Sequence, residues 1–126
     1  MADDIIKNIN PNIKVIDLGD GTHAIACADI DEGEYTTPTH TQPSIGATTT
    51  EALAGNANRL YVLIVNDSVE TVYIKLGAAA VLNQGIRLNA NGGSYEMSRK
   101  LGNLYVGVIN GIGTSGAAVL LVTEGV

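Results

Sequence analysis

Arg59-Leu60-Tyr61-Val62-Leu63-Ile64-Val65 is apolar at every position from Leu60 to Val65. It is closed by Asn66-Asp67-Ser68 and followed by Thr71-Val72-Tyr73-Ile74-Lys75-Leu76-Gly77. β-Branched and aromatic residues bounded by turn formers read as two strands joined by a polar turn. In the second strand Val72, Ile74 and Leu76 face one way and Thr71, Tyr73 and Lys75 the other, the alternation of a half-buried strand. The first has no polar face. A strand apolar on both sides needs a second layer or a partner.

Working outward, the same punctuation recurs. Ile13–Leu18 and Thr22–Ala28 flank Gly19-Asp20-Gly21, and the Asp-Gly step favours the positive φ of a tight hairpin, so residues 13–28 are expected as a β-hairpin. Residues 1–12 read as an N-terminal arm closed by Pro11, and residues 29–44 as an acidic, then Thr- and Pro-rich connection, a linker or an arm laid across a neighbour. Ile45, Ala47, Thr49, Glu51 and Leu53 give a weak period-2 strand, with a short helix over residues 49–54 as the competing reading. Residues 78–82 read as a helical turn or a loop. Short strands follow at 86–88 and 94–97, then a terminal hairpin of 104–110 and 117–123 around Gly111-Ile112-Gly113-Thr114-Ser115-Gly116. Eight or nine short strands predict an all-β fold: one antiparallel β-sandwich, jelly roll or barrel over 13–126, with the main sandwich in 45–126.

Composition agrees. The 126 residues include 15 Gly, 5 Tyr and neither Phe nor Trp, so the core must be built from Val, Ile, Leu and Ala. The net charge of −6 lies in the N-terminal part: residues 1–51 carry two lysines against nine acids, and 52–126 five basic against four acidic residues. No Lys/Arg cluster marks a phosphate-binding surface, so nucleic acid is not an expected partner. No apolar run approaches the ~20 residues of a membrane-spanning helix, so no membrane partner is expected. Cys27 is the single cysteine and cannot form an internal disulfide. The acidic start Met1-Ala2-Asp3-Asp4 is not that of a signal peptide, and synthesis in a cytoplasm is expected.

Candidate chemistry is thin. Residues 111–116 match G-x-G-x-x-G, but the dinucleotide motif needs a helix next, and Ala117–Val122 is strand-like. A glycine-rich hairpin loop is the better reading. His23 and Cys27 stand four residues apart on one expected strand, about 13 Å and too far to share a proton. Asp29, Asp31, Glu32 and Glu34 lack the spacing of a calcium loop and read as a solvated acidic turn. Asp17 and Glu51 are the acids in the most apolar contexts. Tyr35, Tyr61, Tyr73, Tyr95 and Tyr105 could form a carbohydrate platform or simply pack on the sheets. No catalytic, cofactor or metal residue is assigned, and no enzyme activity is expected. The terminal strand is also apolar on both faces. The faces carrying Leu60, Val62 and Ile64, and Ala118, Leu120 and Val122, are therefore the ones expected to pack against another subunit.

A resemblance enters through the turns. Val15–Thr22, Ala57-Asn58-Arg59 before the strand, Asn66-Asp67-Ser68 after it, Val72–Gly77, Leu88-Asn89-Ala90-Asn91-Gly92-Gly93-Ser94-Tyr95-Glu96 and the terminal Leu121–Gly125 form a series. It resembles small virion proteins of tailed bacteriophages over most of residues 13–126, through structural turns rather than catalytic signatures. The resemblance implies a non-enzymatic β-protein of a phage particle. The position it implies first is the capsid exterior: a decoration (cement) protein, assembled as a homotrimer and contacting the major capsid protein or other virion proteins. A head-fibre or tail component is the alternative within that resemblance. A carbohydrate-binding β-sandwich is the alternative outside it.

Overall fold

The computed structural model describes residues 33–126 together with the short strands 15–17 and 23–25. The chain divides into two compact units, Met1–Asp31 and Glu32–Val126. In the first, β1 (Val15–Asp17) pairs antiparallel with β2 (His23–Ile25), Val15 opposite Ile25 and Asp17 opposite His23. The pairing is that of the two strands of the expected 13–28 hairpin, whose turn lies outside the described residues. The expected arm at 1–12, Cys27 and the acids at 29, 31 and 32 lie outside the described residues.

The second unit is all-β, with no helix among the described residues. Its strands are β3 (Pro38–Thr41), β4 (Ser44–Ile45), β5 (Thr50–Leu53), β6 (Tyr61–Asn66), β7 (Val72–Leu76), β8 (Ile86–Leu88), β9 (Ser94–Ser98), β10 (Ile109–Gly113) and β11 (Ala118–Gly125). They form two antiparallel sheets, one ordered β5-β10-β7-β8 and one ordered β3-β11-β6-β9, with β4 also on β11. Neither sheet closes on itself, so the fold is a β-sandwich and not a barrel. Between the sheets lie Ile45, Val62, Ile64, Val72, Ile74, Leu88, Met97, Ile109, Ala118, Leu120 and Val122, each at most 2 % exposed. Aliphatic side chains and Met97 fill this core, with Tyr95 and Tyr105 packed against it in place of the Phe and Trp that the chain lacks.

Several boundaries differ from the sequence reading. β6 and β7 do not pair: β6 lies between β11 and β9, and β7 between β10 and β8. The polar turn between them carries the chain from one sheet to the other. The Thr- and Pro-rich segment is extended, but it lies on this chain's own β11 as β3 and β4. Pro38 suits a strand at a sheet edge, where the missing N–H breaks no ladder, and Pro43 falls between β3 and β4. The alternation expected over 45–53 is interrupted by a turn at 46–49, so Ile45 and Ala52 are buried while Glu51 is exposed. β10 begins five residues later than expected and takes in Gly111 and Gly113. A Cβ on Gly111 would stand 3.4 Å from Ile45, and one on Gly113 would stand 3.0 Å from Glu70 and 3.1 Å from Ala118. Those two glycines therefore serve close packing inside the sandwich, and the turn contracts to residues 114–117. Residues 77–85 form a loop over the outer side of the four-stranded sheet. It is held there by Tyr73 Oη donating to Asn83 (2.9 Å) and Asn110 Nδ2 donating to the Ala78 carbonyl (2.9 Å), and it buries Tyr73, Ala80 and Ile112.

Candidate interaction face

β6 is bracketed by two buried polar residues. At its start, Arg59 is fully buried. Its Nε donates to Glu124 at 2.6 Å, Nη1 to the carbonyls of Tyr105 (2.8 Å) and Gly107 (3.0 Å), and Nη2 to the carbonyl of Ala54. Glu124 is the fourth of the inward positions 118, 120, 122 and 124 of β11, which is why its carboxylate points into the end of the core. Its other oxygen accepts from Asn56 Nδ2 at 3.3 Å. At the other end of β6, buried Asn66 donates through Nδ2 to the carbonyls of Glu70 (2.6 Å), Leu88 (3.1 Å) and Asn89 (3.1 Å), and its Oδ1 accepts from Ser68. Each residue ties the five-stranded sheet to segments leading into the four-stranded one. Together they fix the two sheets at both ends of the central strand.

A second carboxylate organises the glycine-rich turn. Glu70, 8 % exposed, accepts from the Ser115 amide (2.9 Å), the Ser115 hydroxyl and the Ala117 amide (3.1 Å). The loop that could have suggested a phosphate site thus has its donors turned onto the protein's own anion. The Ser115 hydroxyl, then the Ser115 amide and those of Ala117 and Gly116, hold the Glu70 carboxyl below its usual 4.5 against the opposing effect of burial. A carboxylate whose folded value is depressed stabilises the fold above its unfolded value, and that stability is lost as the pH falls through the folded value. Acid unfolding followed by circular dichroism should therefore show a loss beginning below about pH 4.5 that is reduced in Glu70→Gln, with Glu70→Gln already less stable at neutral pH.

With the inward positions taken up by the core, Val62, Ile64, Ala118, Leu120 and Val122 cannot be the subunit-packing residues, because all five are buried inside this chain. Leu60 precedes β6 and is half-buried, its amide donating to the Gly125 carbonyl at 2.8 Å. The period-2 rule moves the available surface to the alternate positions. Across the outer face of the five-stranded sheet the register gives three rows: Pro38, Gly125, Tyr61, Ser98; then His40, Thr123, Leu63, Glu96; then Leu121, Val65, Ser94. Leu63 and Val65 are half-buried and Leu121 is 40 % exposed. The face has an apolar centre and polar margins. On one margin His40 Nδ1 meets Thr123 Oγ1 at 3.0 Å, and on the other Tyr61 Oη donates to Glu96 at 2.6 Å.

The tyrosines divide. Tyr73 lies under the 77–85 loop, Tyr95 and Tyr105 pack against the core, and Tyr35 stacks on Tyr61 with ring centroids 5.1 Å apart. Gly125 makes that stack possible, since a Cβ there would collide with the Tyr35 ring. The hydrogen bond to the Glu96 carboxylate, then burial and the nearby charge, raise the Tyr61 hydroxyl from 10.0 to about 12. Alkaline titration of tyrosinate absorbance should show one hydroxyl ionising near 12, and Glu96→Gln should bring it down toward 10.

Among the described residues no group of three or more His, Cys, Asp or Glu is placed to hold a metal ion, and no helix is long and apolar enough to cross a membrane. Glu51 is exposed on β5, and Glu34 lies 3.6 Å from Lys100 at the surface. Sequence reasoning missed Arg59 and Asn66 as interior residues. The available signal was a charged residue abutting a wholly apolar strand. Comparison with protein-family models, curated proteins and solved structures gives no match for this chain.

Proposed function

We propose that this chain is a structural part of a tailed-phage particle that works by packing against other protein subunits, with the capsid exterior as its position. The observation that supports this reading is the outer face of the β3-β11-β6-β9 sheet. There Leu63, Val65 and Leu121 form an apolar centre between polar margins, the anatomy of a protein–protein contact rather than of a reaction site. The turn series around Asn58-Arg59, Asn66-Asp67-Ser68 and Gly92-Gly93 supplies the phage context by resemblance. On a capsid, the chain would act mechanically: area buried across joints between shell subunits adds free energy against expansion by packaged DNA. The acidic N-terminal part suits an exterior position, away from packaged nucleic acid. A glycan-binding role has less support, because three of the five tyrosines are taken up in packing. Quantitative mass spectrometry of purified particles tests the proposal. A fixed high ratio to the major capsid protein is expected. A few copies per particle would move the chain to a fibre or tail, and absence from the particle would refute it.

A further inference from the structure

We infer that the outer face of the five-stranded sheet pairs with the same face of a second copy, about a two-fold axis running along the strands between β11 and β6. The inference deepens the packing role proposed above and rests on it. It follows from the order of side chains across the sheet. The middle row reads His40, Thr123, Leu63, Glu96 on β3, β11, β6 and β9. A two-fold axis in the plane of the contact, parallel to the strands, reverses left and right. It brings β3 of one copy over β9 of the other and β11 over β6.

That operation places His40 opposite the second copy's Glu96, twice by symmetry, Leu121 opposite Val65 in the adjoining row, and the Tyr35 rings that lie over Gly125 and Tyr61 against one another in the first row. The ends of the row match chemically as well as positionally. Thr123 engages His40 through Nδ1, which leaves Nε2 for a partner, and Tyr61 engages Glu96 through Oε2, which leaves Oε1. A carboxylate meets an imidazole at each margin, and at the centre Leu121 meets Val65 and Leu63 meets Thr123, a self-complementary isologous arrangement. Strands lie about 4.8 Å apart, so His40 and Glu96 stand roughly 7 Å to either side of the axis. The ~30° crossing usual for packed twisted sheets displaces these margins by about 3.5 Å, one residue's rise and within the reach of both side chains.

Four strands by five residues cover roughly 300 Å² of sheet, well under the ~800 Å² per partner of a standard interface. The pairing is therefore weak between free chains and gains strength where many copies are held close together, as on a repeating shell.

Sedimentation equilibrium of the full chain between about 10 μM and 0.5 mM, the range in which so small a contact should be populated, tests this. A monomer–dimer equilibrium is expected. His40→Glu should weaken it at least about tenfold by setting two carboxylates opposite one another, and Glu96→Lys should weaken it by removing the acceptor that faces the imidazole. The double variant His40→Glu/Glu96→Lys should restore dimerisation to within about threefold of wild type, because the pairing is opposite again. Leu121→Glu should abolish it. Urea unfolding of each variant establishes that the monomer is intact, and these exposed positions leave the core untouched. A chain monomeric throughout the range, a trimer, or a double variant no better than the singles would overturn the inference. Dimers from a chain absent from phage particles would leave the pairing standing and refute the particle role instead.

Discussion

Arg59→Met should cost about 3–5 kcal/mol of stability, read as a lower urea midpoint at unchanged slope. The substitution keeps much of the apolar stem and removes every donor. Glu124 is left with a carboxylate in the end of the core, held by Asn56 alone, and the carbonyls of Ala54, Tyr105 and Gly107 lose their partners. The cost lies in this unpaired charge and these orphaned carbonyls more than in the ion pair itself, because taking both ions out of water offsets much of their attraction. It follows that Arg59→Met/Glu124→Gln should be more stable than Arg59→Met by about 1–2 kcal/mol, since the double variant no longer buries an unpaired anion. A double variant that loses the sum of both single effects would mean that the two side chains act independently.

Asn66→Asp is the second large effect. The two side chains have nearly the same shape, so packing is unchanged and hydrogen bonding is isolated. Nδ2 donates to three carbonyls, those of Glu70, Leu88 and Asn89; a carboxylate there would point an anion at all three. A loss of about 4 kcal/mol is expected from several buried acceptors left unsatisfied together with the desolvation of the new charge. The deficit relative to wild type should narrow as the pH falls. The new carboxyl binds a proton more readily folded than unfolded, and once protonated it can donate to one carbonyl. A deficit independent of pH would show that the carboxylate escapes to water.

The fold class was legible in the sequence because the signals for it are local. Asp20-Gly21 marks a hairpin, Val72–Leu76 alternates, and aliphatic runs end at Asn, Gly or Ser. What was not legible depends on which strands meet. Nothing in Asn66-Asp67-Ser68 distinguishes a turn within a sheet from a step between sheets; the difference is made by Asn66 reaching carbonyls 22 and 23 residues away. The inward face of β11 was equally hidden. Ala118, Leu120 and Val122 and the opposite set Val119 and Leu121 are alike in hydrophobicity, and only the register with β6 assigns the first set to the core. Gly111 and Gly113 read as loop residues because glycine is common in turns, whereas here they admit Ile45, Glu70 and Ala118 to the space a side chain would fill. The β3-β11-β6-β9 face came within reach of sequence reasoning as a pair of doubly apolar strands, but the face left exposed is the one opposite that first expected.

The most direct measurement is the rebinding of purified chain to phage particles that lack it, comparing wild type with Leu121→Glu at equal, independently measured fold stability. On the proposed role, wild type should saturate in a fixed high ratio to the major capsid protein, and Leu121→Glu should fall at least about tenfold short, because a carboxylate at the centre of the face that pairs copies removes the contact that strengthens binding of many copies to one shell. Equal binding by both chains, or none by wild type, would contradict a packing role for this face.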